Sequence, residues 1–178
     1  LPLLQHALES VGVPTEVTVD DLPLHEHRAV AVLLNLLAVA ADPESLTIER
    51  TKELLLSEMI GVDGLGYRQL GRMLRNVLAE QTPTTPPTSD HAVRLALISD
   101  EFWSVARERV ATDVLEPLAE LREAIAATSA AIAAGDTAEQ ILWAAWSATE
   151  WSQRLARAAR GSGASARSAN RDLDSVVA

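Results

Sequence analysis

Apolar and polar positions alternate with a helical period along most of the chain. Residues 1–10 put Leu1, Leu4 and Leu8 on one side, the spacing of an amphipathic helix. Gly12 ends that pattern and Pro14 prevents its return. Thr15-Glu16-Val17-Thr18-Val19 alternates and is β-branched, which predicts one short strand. A lone strand cannot make a sheet, so its partners are expected elsewhere. Asp20-Asp21-Leu22-Pro23 reads as a turn. Residues 25–41 then predict an apolar helix through Val30, Leu33, Leu34, Leu37 and Val39, stopped by Asp42-Pro43. A second helix over 47–57 carries Ile48, Leu54, Leu55 and Leu56, a glycine loop follows, and a third helix runs over 65–80. Thr82 to Thr88, rich in proline, predicts an exposed loop. Shorter helices are expected over 91–99 and 102–112, and a long alanine-rich one over 115–134 with Gly135 as its C′ residue. Asp136-Thr137-Ala138-Glu139 has capping-box spacing, and the next helix is predicted as one piece from Thr137 towards Arg160. Gly161-Ser162-Gly163 breaks it, and a last helix starts near Ser165 or Ser168. The fold class is therefore mainly α, with a short helix–strand remnant of an α/β domain at the N-terminus. Both ends fall inside helical patterns, which predicts a piece cut from a longer chain.

Composition supports helices and narrows the chemistry. Of 178 residues 48% are apolar but only 3% aromatic, which favours packed helices over a β-sandwich. The net charge of −10 is unevenly spread. Residues 66–80 carry three basic side chains against one acidic, and residues 151–178 carry five against two, in an acidic background. There is no cysteine, hence no disulfide framework and no thiolate chemistry, and the compartment is expected to be cytoplasmic. No apolar run is long enough to span a bilayer, so no membrane partner is expected. The single lysine, Lys52, stands in no Gly-Lys-Ser/Thr sequence, which excludes a phosphate-binding P-loop here. His25 and His27 are two apart and point about 200° away from each other on a helix, so they do not converge on a metal. No nucleophile-elbow pattern is present. This fragment alone is expected to have no catalytic residues and to hold no cofactor or metal.

The candidate binding stretch is Ile60-Gly61-Val62-Asp63-Gly64-Leu65-Gly66-Tyr67-Arg68-Gln69-Leu70-Gly71-Arg72-Met73-Leu74-Arg75. Gly61, Gly64 and Gly66 allow positive φ or close approach of another chain. A helix starting there offers free N–H groups to an anion. Arg68, Arg72 and Arg75, spaced i, i+4, i+7, share a face of that helix. Helix, glycine hairpin, helix is the order of a helix-hairpin-helix phosphate clamp. A plain turn with solvated arginines is the simpler alternative. Arg154, Arg157 and Arg160 form a second basic stripe, either complementing a helix C-terminus or touching a polyanion. Trp143 and Trp146 share a face, and Trp151 follows. Core packing among Ile141, Leu142, Ala144 and Ala145 is expected in preference to a base-stacking platform.

The order of these features resembles the C-terminal half of a UvrD/Rep-type superfamily-one DNA helicase. Leu8, Gly12-Val13-Pro14 and Thr15 to Val19 match the point where motor domain 2A leads into a helical insertion, domain 2B. Glu26, Ala29-Val30, Leu33 to Leu37 and Asp42 match the first insertion helix, and Ile60-Gly61 through Leu70 the glycine segment that meets duplex DNA. Asn170 to Val177 resembles the helix after a basic loop. Leu22-Pro23-Leu24 and Ile141-Leu142-Trp143-Ala144-Ala145-Trp146 are similar to actinobacterial helicase–nuclease subunits of the AdnA/AdnB or RecB-like kind. The resemblance implies residues 1–20 as the tail of domain 2A and residues 21–178 as a 2B-like accessory domain, truncated at its C-terminus. It implies a parent that hydrolyses ATP with Mg²⁺ on its motor domains, acting in DNA repair or recombination. Expected partners are a double-stranded/single-stranded DNA junction, the motor domains of the same chain, and a nuclease or partner helicase subunit. The rival reading is an all-α protein–protein interaction domain that docks such a subunit without touching DNA.

Overall fold

Asp42-Pro43 marks the first fixed point of the architecture, because proline cannot continue the apolar helix before it. A computed structural model describes residues 27–81 and 87–177. The predicted first helix and strand, the 2A/2B boundary, and most of the proline-rich loop lie outside the described residues. Among the described residues there are nine α-helices and no strand, so the mainly-α expectation holds.

The first helix, α1 (Arg28–Ala41), has no charged residue after Arg28 and buries Ala29, Leu33, Leu36, Val39 and Ala40. A 3₁₀ turn at Pro43–Ser45 follows, closed by the Asp42 carboxylate accepting from the Glu44 amide at 3.1 Å. Helix α2 (Ile48–Leu56) is capped by Thr47, whose hydroxyl accepts from the Arg50 amide. Next come α3 (Gly64–Gln81), α4 (Ser89–Ile98) and α5 (Asp100–Arg109). Thr88 and Ser99 cap the last two in the same way. In α5 the first turn holds Asp100 and Glu101 and the last holds Arg107 and Arg109, each sign at the favoured end of the helix dipole.

The long helix α6 (Thr112–Ala134) ends on Gly135 at φ 75°, the left-handed C′ geometry expected for that glycine. The cap of α7 (Ala138–Ser147) lies one residue beyond the predicted box. Thr137 and Gln140 make the reciprocal pair, at 3.3 and 2.9 Å, because the Asp136 amide is already used by Ala131 O in closing α6. The single helix predicted from Thr137 to Arg160 is two helices, α7 and α8 (Trp151–Ala159). The break at 148–150 is held from a distance: the Glu150 amide donates to the Glu120 carboxylate on α6 at 2.9 Å. Gly163, at φ 89°, leads into α9 (Ala164–Val177).

Helix α1 is central, packing on α2, α6, α7 and α9. Helix α3 packs on α4, and α8 on α9. Leu36, Leu55, Met59, Leu74, Leu118 and Leu121 have no exposed surface. Ala92, Ala96, Ala106, Ala124 and Ala145 are equally buried, and their small side chains let helix axes approach. Gly71 serves the same end inside α3, since a Cβ there would stand 3.0 Å from that of Ser89.

Arginines satisfy the orphan carbonyls at helix ends. Arg122, on α6, donates to Ala96 O and Leu97 O of α4, both at 2.8 Å. It also pairs with Asp100 and lies over the Trp103 ring, 5.2 Å from its centroid. Arg94 donates to Leu46 O, and Ser129 to Ala40 O at the end of α1.

Candidate nucleic-acid interface

The segment between α2 and α3 turns because Gly61 takes φ 80°, a conformation other residues resist. Its amides are largely used within the turn. Gly61 N–H donates to Ser57 O at 2.7 Å and Val62 N–H to Leu55 O at 3.1 Å. The Asp63 carboxylate accepts from the Leu65 amide at 3.0 Å and the Gly66 amide at 2.7 Å. A carboxylate of the chain itself thus occupies two of the amides that an anion at this helix start would use. The three glycines differ in role. Gly61 supplies the positive φ, Gly66 fits closely against Asp63 and Val62, and Gly64 is exposed with the Arg68 guanidinium 3.7 Å from a would-be Cβ.

Arg68, Arg72 and Arg75 are all exposed along α3. The opposite side of the helix buries Tyr67, Leu70, Leu74 and Val77. Among the described residues no carboxylate pairs with these three guanidiniums; Arg75 reaches only the Asn76 side chain, at 3.4 Å. Tyr67 fixes the helix in place. Its hydroxyl donates to Asp90 on α4 at 3.1 Å, and burial together with that carboxylate pushes the phenol well above its usual pKa.

Removing the charge of the capping residue separates its two effects. Asp63→Asn keeps an acceptor for the α3 amides, so the loss of stability is expected to stay near or below about 1 kcal/mol. If a phosphate backbone meets this turn, duplex DNA should then bind more tightly at low salt, because one repulsive charge leaves it. Unchanged binding in an anisotropy titration would mean that phosphate does not approach this turn.

The second basic stripe divides. Arg154 points inward, donating to Glu58 O at 3.3 Å and to Met59 O, and stands 3.8 Å from Glu120. Arg157 and Arg160 remain exposed. The tryptophans divide as well. Trp151 is 2% exposed and Trp146 leans on it with ring centroids 5.0 Å apart. Trp143 is 68% exposed, contrary to the core role expected of it, because α7 buries only Ala145 and lies at the edge of the bundle. Trp143 borders a groove of about 900 Å³ with Leu33, Leu142, Trp146 and Val176, and the polar Thr137, Glu139 and Gln140 complete its lining. Sequence reasoning missed this groove. Its signal was the weak one-sidedness of Ile141-Leu142-Trp143, apolar all round with no polar face to turn outward.

Among the described residues no three His, Asp or Glu side chains gather as a metal site, and no helix is long and apolar enough to cross a membrane. No family model matches the chain, and no curated protein is recognisably similar to it.

Proposed function

We propose that this chain is an accessory domain of an ATP-dependent DNA translocase of the UvrD/Rep type, one that contacts the duplex backbone and tunes unwinding. The observation that carries the reading is the row of Arg68, Arg72 and Arg75, exposed on one helix without carboxylate partners among the described residues, in a chain of net charge −10. The order of elements around the glycine turn, α2, turn and α3, agrees with the sequence resemblance. With the turn amides occupied by Asp63, the arginines provide most of the attraction for phosphate, and Gly61, Gly64 and Gly66 shape the surface beside them. Such contacts position a duplex and read no sequence. ATP and Mg²⁺ belong to the parent motor domains in this reading. The open reading frame on either side tests the parentage. A Gly-Lys-Ser/Thr P-loop upstream, with motor motifs resuming after Ala178, is the expected result. A frame confined to these residues contradicts it.

One observation favours a second reading. The groove beside Trp143 is mostly apolar, includes Glu139 and, among the described residues, has no basic residue in its lining, which suits a protein partner better than a nucleic acid. In this reading the domain docks a nuclease or partner helicase subunit. Trp143→Ala should then release a partner that the wild-type chain retains in a pull-down, and a variant that retains it speaks against docking here.

A further inference from the structure

The two basic segments are distant in sequence, but Arg154 ties the second to the stretch that leads into the first. Arg154 of α8 holds the carbonyls of Glu58 and Met59, which lie three and two residues ahead of Gly61 in the segment that leads to α3. Arg157 follows Arg154 by about 4.5 Å along the helix axis. Trp151 and Leu155 form the buried side of α8, and Arg157 and Arg160 lie on the other side, exposed. Helix α9 packs back on α8 through the short turn 161–163. It buries Ala166 and Ala169, while Arg167 faces solvent. Arg171 lies one helical turn past Arg167 and has the charge of Asp172 beside it. Among the described residues, no carboxylate pairs with Arg157, Arg160 or Arg167. Positive charge concentrated on one hairpin of an otherwise acidic chain attracts phosphate and repels acidic surfaces.

We infer that the α8–α9 hairpin is a second phosphate-contacting element, continuing past the glycine turn the track begun by α3. The ligand is the sugar–phosphate backbone of duplex DNA, met without base contacts. The inference rests on the reading that the α3 arginines meet a duplex. Arg154 acts as a positioning residue: it spends its donors on the turn and so fixes the hairpin beside it.

The test is fluorescence anisotropy of the full chain with a labelled blunt duplex of about 20 base pairs, titrated between about 25 and 150 mM salt. Each phosphate contact contributes about 0.9 to the slope of log K against log salt. The variant Arg157→Ala/Arg160→Ala/Arg167→Ala should lower that slope by about 2 to 3, with its thermal melt unchanged. The same positions changed to lysine should keep the wild-type slope, since lysine preserves the charge. A wild-type slope in the alanine variant, beside a lowered slope for Arg68→Ala/Arg72→Ala/Arg75→Ala, overturns the hairpin and leaves the α3 reading standing. The opposite pattern removes the α3 row, and with it the track that the hairpin would continue. A wild-type chain with no salt-dependent binding removes both.

Discussion

Trp151→Ala is expected to destabilise the chain by about 3–5 kcal/mol, the range for a large aromatic removed from a close-packed core. Trp151 is 2% exposed, opens α8 and braces Trp146, so its loss empties the junction of α7, α8 and α9. The Trp151 indole N–H is buried without a hydrogen-bond partner among the described residues. Trp151→Phe removes that unsatisfied donor along with some volume, and should therefore cost much less than the alanine change. Trp143→Ala, eight residues earlier, should stay within about 0.5 kcal/mol of wild type, because its ring stands mostly in solvent. Urea denaturation followed by circular dichroism measures all three. Equal losses for Trp151→Ala and Trp143→Ala would contradict the split between α7 and α8.

Arg122→Met is expected to be the most damaging change at a charged residue, at about 2–3 kcal/mol. Its guanidinium serves two carbonyls at the end of α4, pairs with Asp100 at the start of α5, and covers Trp103. One flat, multiply donating group thus joins three helices. Methionine keeps most of the apolar stem but abandons both carbonyls and Asp100. Arg122→Lys should recover only part of the loss, since an ammonium cannot reproduce the planar fork or lie flat on the indole. Thermal melts of the two variants decide this, and equal melting temperatures for Arg122→Lys and wild type would show that charge alone suffices.

The signals that survive from sequence to structure are local ones. Gly135 follows α6 in the left-handed region, and Pro43 ends α1, each by chemistry confined to a few neighbouring residues. The break at 148–150 was hidden because the apolar pattern runs straight through it. What holds the break in place, the Glu120 carboxylate on the Glu150 amide, comes from thirty positions away. The opposite fates of Trp143 and Trp151 follow from that break and share its illegibility. At the candidate site the exposed arginine row was legible from spacing alone. The Asp63 cap was written in the same stretch, an aspartate just ahead of a helix start, but the glycines around it suggested free amides that the carboxylate in fact holds. Arg154 could not be separated from Arg157 and Arg160 by spacing, because its role depends on carbonyls brought close only by the fold.

The central claim is that the α3 arginines attract a phosphate backbone, and the salt dependence of duplex binding tests it most directly. Wild-type chain and Arg68→Ala/Arg72→Ala/Arg75→Ala are titrated against the same labelled duplex. The variant is predicted to lose about 2 to 3 from the slope of log K against log salt, and about tenfold or more in affinity near 100 mM salt. A variant that matches wild type in both slope and affinity would mean that the row is only a solvated helix face, and would leave the groove beside Trp143 as the working surface of the domain.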